Sequence, residues 1–235
     1  MSRWIWLATG LLLGGDWLRR AIAAAMGMGK LADVTRPEWD RFPRLTGAQP
    51  KVSVVVAARD EGKQIEQCLR SLVVQDYPDL EICAVDDRSS DRTATIMDQL
   101  RGESPVKVDV IHITELPPGW LGKTHAMWSG AAATHGDWIL FTDGDIAFRA
   151  DALRRTLSYA ELTACDHLVI FPTLIMKTIG ERMMLGFFGL AFSLLVRPWK
   201  ARDENARDFI GAGAFNLIRR SAYETLGTIK RSEWK

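Results

Sequence analysis

Two aspartates separated by one glycine, Asp143 and Asp145, follow the apolar run 138–141. Side chains two residues apart at the end of a strand point the same way, so both carboxylates can face one cation. Hard oxygen ligands suit Mg²⁺ or Mn²⁺, which proteins usually hold with one or two carboxylates and the phosphates of a substrate. Because Asp-Gly is also a common turn dipeptide, a solvated turn is the alternative for this segment taken alone.

A second acidic pair, Asp86 and Asp87, closes the apolar run 80–85. Two adjacent carboxylates repel each other, and such a pair is tolerated where it meets a base edge, ribose hydroxyls or a cation. A turn followed by a helix cap would account for Ser90 and Asp91, but it leaves Asp86 unexplained.

Lys123 follows two glycines, Gly119 and Gly122, in a segment that invites comparison with a phosphate-binding P-loop. The spacing excludes that motif, because a P-loop has four residues between its glycines and here there are two. Pro117 and Pro118 also stand where amide donors would be needed. Lys123 at a helix start can still meet a diphosphate, helped by the helix dipole.

Regular elements have to position these motifs, and the apolar pattern predicts them. Short apolar runs predict four strands, at 52–57, 80–85, 106–113 and 137–142. Helical spacing follows the first three strands, over about 65–73, up to about 100, and over 124–134. This alternation predicts an α/β fold with right-handed crossovers and a mainly parallel sheet with helices on both faces. Such sheets bind ligands beyond the carboxyl ends of their strands, where the acidic loops lie.

The pattern beyond residue 150 is looser, with a helix predicted over 152–162 and a strand over 167–171. Residues 183–196 then carry no charge. A run of about 10 to 14 apolar residues favours a buried core helix or an interfacial segment over a membrane span. Aromatic residues lie within this run and basic residues lie at its edges. Contact with a membrane surface is therefore an alternative to burial in the core.

Residues 1–30 are predicted to form a separate N-terminal helix that anchors the chain in a membrane or lies at its interface. Twelve apolar residues, Trp4 to Gly15, precede Asp16 and two arginines. A span needs about 20 residues, so it would have to include Asp16 and Arg20, paired with each other. A secretory signal cleaved after Ala25 is the alternative. The excess of basic residues after the apolar run predicts that the rest of the chain faces the cytoplasm.

Composition limits the remaining possibilities. Residues 31–51 carry three prolines and read as a linker, and one domain is expected over 52–235. A formal net charge of +1 provides no field that would attract a polyanion, so no nucleic acid partner is expected. Three widely separated cysteines indicate reduced thiols rather than a disulfide framework.

Four blocks of sequence together resemble the family-2 glycosyltransferases in order and spacing. They are Val52–Glu61, Val85–Thr93, Gly122–Ala126 and the DxD motif Asp143–Asp145. The resemblance extends over about 52–227. Leu116–Lys123 is similar to the branch of the family associated with hopanoid and carotenoid lipids, and Phe209–Arg220 is similar to its glycine-rich segment on the acceptor side.

The resemblance implies a GT-A fold, which is Rossmann-like, together with a UDP-sugar donor and a divalent ion, Mg²⁺ or Mn²⁺. It implies a set of donor-binding residues: Ala57, Arg59 and Glu61 along the uridine site, Asp86 and Asp87 at uracil or ribose, Lys123 near the phosphates, and Asp143 at the ribose. Asp143 and Asp145 would hold the metal. The expected acceptor is a lipid such as a polyisoprenoid, and the expected enzyme is membrane-associated, on the cytoplasmic face.

An inverting transferase also needs a carboxylate that takes the proton of the acceptor hydroxyl. The family places it in an acidic pair beyond the segment matched by Ala222–Gly227, whereas this chain turns basic at Lys230 and ends at Lys235. We therefore expect a transferase domain that is incomplete at its C-terminus. The candidates to replace the base are the nearby acids Asp203, Glu204 and Asp208.

Three interpretations follow from this pattern. The first is an active glycosyltransferase that acts on a lipid, and the second is a truncated module that binds a nucleotide sugar without transferring it. The third, a nucleotidyltransferase, would want a glycine-rich loop with a basic residue after the first strand, where this chain has Ala57–Glu61.

Overall fold

The computed structural model describes residues 3–40, 49–203, 205–208 and 210–227. Part of the predicted linker (41–48), the candidate base Glu204, Phe209 and the basic end of the chain (228–235) lie outside these ranges. Two compact units are present. We call Met1–Asp33 with Thr173–Gly211 the helical unit, and Val34–Pro172 with Ala212–Lys235 the sheet unit.

The sheet unit contains six strands in the order β3-β2-β1-β4-β6-β5. Their bounds are β1 Val52–Ala58, β2 Leu80–Asp87, β3 Lys107–Ile113, β4 Trp138–Asp143, β5 His167–Val169 and β6 Asn216–Arg219. The first four strands pair in parallel, β6 runs antiparallel to β4, and β5 runs antiparallel to β6. The predicted mainly parallel α/β sheet is therefore confirmed, and its two antiparallel strands come from the part of the chain where the apolar pattern is weakest.

Helices cover both faces of this sheet. On one face lie α2 Ile65–Val73, α3 Thr93–Glu103 and α5 Ala152–Leu162, and on the other lie α4 Gly122–Ala132 and α7 Arg220–Thr225. The alternation along β1 explains the two layers, because Val54 and Val56 belong to the first core and Val55 to the second. Burial on both faces gives the central strands their continuous apolar sequence.

The close approach of α4 to the sheet depends on Gly130. A Cβ at this position would lie 2.4 Å from Val55 Cγ1 and 3.1 Å from Val85 Cγ2. With the helix held this close, its first turn and Lys123 come to the carboxyl ends of β1 and β2. The apolar pattern predicted a start near Thr124, and the helix begins two residues earlier, at Gly122.

Part of the predicted linker is packed structure. Residues 37–39 form a short 3₁₀ helix, and the Trp39 ring meets Tyr159 of α5 edge to face, with centroids 4.9 Å apart. Arg155 donates to the backbone carbonyls of Thr35 and Arg36 at 3.2 and 3.0 Å. Residues 34–40 are therefore held on the sheet unit through α5, a contact that local composition does not reveal.

The helical unit consists mainly of α1 Arg3–Met28 and α6 Ile179–Leu195. α1 packs against α6 and also against the short 3₁₀ helix Pro198–Lys200, where the Trp199 ring would lie 2.1 Å from a Cβ at Gly27. No residue of α6 is buried, so of the two alternatives for 183–196 the buried core helix is wrong, and contact with a membrane surface stays a prediction. The expected N-terminal helix is present. Across the described ranges, no helix combines the length and the apolarity that crossing a membrane requires.

Candidate active site

A cavity of about 210 Å³ opens in the sheet unit at the carboxyl ends of β1, β2 and β4. Its lining consists of Ala57, Ala58, Arg59, Glu61, Asp87, Lys123, Ala126, Asp143, Gly144 and Asp145. The chain runs from β1 outward to β2 and β3 and then crosses back to place β4 on the other side of β1. This reversal is the position at which open α/β sheets bind their ligands.

The loops after β1 and β2 hold each other in place. Asp60, at φ 55°, accepts hydrogen bonds from the Ser90 N–H at 2.7 Å and the Ser90 hydroxyl at 3.0 Å. These bonds hold the pKa of the Asp60 carboxyl below its usual value. The Glu61 N–H donates to Thr93 Oγ1 at 2.9 Å. Ser90 therefore ties two loops together and does not cap α3, which begins at Thr93 without a side-chain cap. The tie fixes Arg59 and Glu61 at the cavity.

Asp86 and Asp87 point in different directions, as successive strand residues do. Asp87 lines the cavity and is held by Arg88, whose Nε lies 2.8 Å from Asp87 Oδ1. Asp86 accepts the Ser89 N–H at 3.1 Å and lies 3.3 Å from His112 Nδ1. Asp86 is not among the cavity-lining residues, so the structure gives the two acids separate positions: Asp87 at the cavity and Asp86 in the support of its loop.

Lys123 and Asp143 form an ion pair in the cavity, with Nζ 2.5 Å from Oδ1. Gly213 lies against this pair, because a Cβ there would come within 2.8 Å of both Asp143 Oδ2 and Lys123 Nζ. The Thr142 hydroxyl donates to the Ala214 carbonyl at 2.7 Å and so holds the Gly213 segment beside β4. From the sequence, Gly213 was placed only in the glycine-rich segment Phe209–Arg220, and its approach to Asp143 and Lys123 was not predicted.

Negative charge accumulates around Asp145. Burial raises the pKa of Glu61, and the charges of Asp145 and Asp143 raise it further. The lining therefore contains four carboxylates, from Glu61, Asp87, Asp143 and Asp145, together with the cations of Arg59 and Lys123. Carboxylates this close together favour a bound cation that offsets their repulsion.

The donor atoms fit a divalent ion that shares its coordination with a substrate. In the part of the chain that the structure describes, no group of three or more His, Cys, Asp or Glu side chains forms a metal site. Asp143 and Asp145 supply hard carboxylate oxygens at the cavity, and Mg²⁺ is typically held by one or two carboxylates completed by water and phosphate oxygens. This set suits an ion that arrives with a diphosphate.

The base candidates lie elsewhere in the chain. Asp208 receives a two-point ion pair from Arg197, with Nε and Nη2 at 3.0 and 2.9 Å, and Asp203 accepts the Asn205 N–H at 3.0 Å. Both belong to the helical unit, and neither lines the cavity. Of the predicted donor-binding residues, all except Asp86 line the cavity, as do both predicted metal ligands.

Comparison with known proteins gives a consistent family pattern. The family model described as Glycosyl transferase family 2 matches residues 53–227. Beta-monoglucosyldiacylglycerol synthase of Synechocystis sp. is 32% identical over 163 residues, covering 66% of this chain and 32% of that protein. The 4,4'-diaponeurosporenoate glycosyltransferase of Staphylococcus aureus is 30% identical over 112 residues, covering 47% of this chain and 28% of that protein. The chain thus spans about a third or less of the length of these relatives.

Solved structures agree in fold. The mannosyltransferase PcManGT from Pyrobaculum calidifontis, in complex with GDP-Man and Mn²⁺, aligns with a TM-score of 0.67 at 21% identity, covering 93% of this chain and 57% of that one. TarS residues 1–349 from S. aureus align with a TM-score of 0.53 at 19% identity, covering 75% of this chain and 49% of that one. At these identities the likeness concerns the GT-A fold alone.

Proposed function

Because the chain belongs to glycosyl transferase family 2, we propose that it transfers a sugar from a UDP-sugar to a lipid-type acceptor, with inversion and with Mg²⁺ or Mn²⁺. One observation carries the proposal. The cavity at the reversal of strand order combines Asp87 on β2, Lys123 at the start of α4, and Asp143 and Asp145 at the end of β4.

Each of these groups has a distinct task in donor binding. Asp87 is buried at the end of β2 and offers carboxylate oxygens to a base edge or a ribose hydroxyl. Arg59 and Lys123 supply the cationic donors for a diphosphate. Lys123 lies at the N-terminal end of α4, where the helix dipole also favours an anion. Ala57 on β1 and Ala126 on α4 are small side chains in the lining, which leaves room there for a planar base.

Asp143 and Asp145 would hold the divalent ion. When bound, this ion would neutralise the negative charge that develops on the departing UDP. Lys123 contacts Asp143 in the structure. When the donor binds, the Lys123 ammonium group would move from the Asp143 carboxylate toward a phosphate, since phosphate is the stronger anionic partner. The same short helix start thus keeps Asp143 in place before the donor arrives and binds the donor afterwards.

A lipid acceptor is supported by the relatives. Two of them are named for monoglucosyldiacylglycerol and for diaponeurosporenoate. We propose a lipid of this general class, which includes polyisoprenoid and hopanoid molecules, and we propose that the enzyme works on the cytoplasmic face of a membrane. The basic residues Arg19, Arg20 and Lys30 after the apolar start of α1 support that orientation.

Calorimetric titration with UDP in the presence and absence of Mn²⁺ tests the donor and metal assignments. Asp145→Ala should weaken metal-dependent UDP binding at least about tenfold, because one of two carboxylate ligands is lost. Asp98→Ala is the matched control, since Asp98 lies on α3 outside the cavity lining. Full UDP affinity in excess chelator, or equal effects of the two variants, would refute the metal assignment.

A second candidate function, binding of a nucleotide sugar without transfer, is favoured by one observation. All four carboxylates that line the cavity are assigned here to the donor and the metal, and in the described ranges no further carboxylate lines it as a base for the acceptor. Single-turnover assays with a UDP-sugar and a lipid acceptor separate the two candidates. Glycolipid formed at about 1 s⁻¹ or faster supports transfer, whereas bound donor with only slow release of free sugar supports the binding module.

A further inference from the structure

The helical unit exposes an unusual amount of apolar surface. Of the 27 large apolar side chains that are exposed in the described residues, 12 lie on α1 and nine lie between 174 and 195. Phe187 and Phe188 on α6 are 67% and 60% exposed, and Trp4 on α1 is 76% exposed. Apolar side chains exposed in this number mark a site of contact with a membrane or another protein.

A cationic cleft lies within the same unit. Its volume is about 210 Å³, and it is lined by Arg19, Arg20, Ala23, Leu194, Leu195, Arg197 and Trp199. Three guanidinium groups thus stand beside leucine side chains and an indole ring. Guanidinium forks match the geometry of phosphate oxygens, and tryptophan favours the boundary between acyl chains and headgroups.

Among the residues that the structure describes, the acids in and near this cleft leave donors available. Asp16 alone pairs with both Arg19 and Arg20, at 2.7 Å in each case. Asp208 pairs with Arg197, which has the left-handed φ of 38°. Each guanidinium carries five N–H donors, more than these carboxylates accept. Residues 1–33 and 173–211 together hold ten basic and six acidic residues, a formal net charge of +4 compared with +1 for the whole chain.

We propose that the helical unit docks on an anionic lipid bilayer, with apolar side chains of α1 and α6 in the acyl boundary and the phosphate of a lipid headgroup bound by Arg19, Arg20 and Arg197. The apolar surface calls for a hydrocarbon environment, and the excess positive charge selects an anionic lipid surface. The cleft adds a specific phosphate position. This inference extends the membrane location proposed above and assigns it to two helices that are far apart in sequence.

Co-sedimentation of the full chain with vesicles tests the proposal. We expect binding to phosphatidylcholine vesicles that contain about 30% phosphatidylglycerol to be at least about tenfold tighter than to phosphatidylcholine alone, and to weaken with salt. Replacing Arg19, Arg20 and Arg197 by Gln should remove most of this preference. Replacing Phe187 and Phe188 by Asp should weaken binding to both kinds of vesicle.

Matched variants in the sheet unit control for charge and hydrophobicity. Arg70, Arg101 and Arg149 are exposed, so their triple change to Gln has the same charge effect. Val74 and Leu162 are exposed apolar residues for the matched change to Asp. UDP affinity and circular dichroism of every variant show whether it is folded, and a failure of UDP binding by the unaltered chain would overturn the donor proposal without affecting this one.

Four results would overturn the inference. The first is equal binding to neutral and anionic vesicles. The second is an equal loss of vesicle binding in the control variants. The third is a chain that does not bind vesicles but self-associates without lipid, where the double change Phe187→Asp and Phe188→Asp abolishes the self-association. The apolar surface would then be covered by a second copy of the chain. The fourth is complete competition by millimolar inorganic phosphate at constant ionic strength, since free phosphate and not a lipid headgroup would then be the ligand. Retention of anionic-vesicle binding under these conditions supports a lipid headgroup at the membrane.

Discussion

Lys123 occupies an unusual position for a cation, because it touches the carboxylate that we assign to the metal and the ribose. Its ammonium group lies at the start of α4, where a diphosphate is also favoured. The Asp143 carboxylate and a bound diphosphate would therefore compete for one ammonium group. Its contribution to donor binding should therefore appear only with ligands that carry phosphates.

We predict that Lys123→Gln weakens UDP binding about tenfold and leaves the affinity for uridine nearly unchanged. A hydrogen bond to a charged group contributes about 1.5–3 kcal/mol, which is lost only when a phosphate is present. Titrations with UDP and with uridine measure the ratio. Lys107→Gln on β3 is the control, because Lys107 is exposed and outside the cavity lining. A parallel loss of both affinities would mean that Lys123 supports the fold instead.

Gly213 allows a sharper test of the same pair. A methyl group at this position would lie 2.8 Å from Lys123 Nζ and from Asp143 Oδ2, which are the ends of side chains and can move. We therefore predict that Gly213→Ala weakens Mn²⁺-dependent UDP binding severalfold but changes the free energy of unfolding by less than about 1 kcal/mol. Gly211→Ala is the control, since a Cβ at Gly211 meets nothing within 4 Å. Equal UDP affinities of the two variants would contradict the prediction.

At the scale of elements, Glu81 at the start of β2 joins three parts of the sheet unit. Its carboxylate accepts the Ser53 hydroxyl of β1 at 2.7 Å, the His135 N–H at 2.7 Å, and a salt bridge from Lys51 at 2.8 Å. Burial alone would raise the pKa of Glu81, but the bonds from Lys51, His135 and Ser53 outweigh it and lower the pKa to about 2.

We predict that Glu81→Gln destabilises the protein by about 2 kcal/mol at pH 7 and that this difference fades in acid. A folded pKa below the unfolded value gives stability that is fully present above about pH 4.5 and is lost as the pH falls toward 2. Urea unfolding at pH 7, 4.5 and 3 measures the trend. Glu103→Gln, which removes the same charge at an exposed position on α3, is the control. A difference in unfolding free energy that stays constant across this pH range would contradict the lowered pKa of Glu81.

The elements of the sheet unit were largely predictable, and the reasons are local. Periodicity predicted α5 at 152–162, which the structure confirms, and it predicted all four parallel strands. The short strand β6 was not assigned, since its four residues carry too little pattern to distinguish strand from loop. The start of α6 had a signal that was overlooked: Thr178 and Glu181 form a capping box, the reciprocal bonding of a helix start.

The candidate site was predictable to the extent that strand ends place side chains. Asp87, Lys123, Asp143 and Asp145 all reach the cavity as the motif order implied. The different position of Asp86 follows from strand alternation, which a pairwise interpretation of the two acids overlooked. The approach of Gly213 to Asp143 joins residues about seventy positions apart, and no local pattern carries that information.

At the scale of the whole molecule, the two compact units divide the sequence unevenly. The helical unit takes its helices from the start of the chain and from residues 173–211, so the sheet unit is interrupted between β5 and β6. The domain expected over 52–235 includes 173–211, because adjacency in sequence was the only guide. The packing of Gly27 against Trp199, which brings the two stretches together, depends on shape rather than on composition.

This division predicts that the two units can be perturbed separately. In Gly27→Ala the new methyl group would lie 2.1 Å from the rigid Trp199 ring, so α1 must move relative to the α6 end of the helical unit. All cavity-lining residues belong to the other unit. We therefore expect hydrogen exchange of α6 amides to accelerate and binding to anionic vesicles to weaken severalfold, while UDP affinity changes by less than about twofold.

Gly10→Ala is the matched control on the same helix, because a Cβ at Gly10 meets nothing within 4 Å and alanine favours a helix. If Gly27→Ala weakened UDP and vesicle binding together and Gly10→Ala weakened neither, the units would be coupled, and donor binding would have to be understood as a property of both.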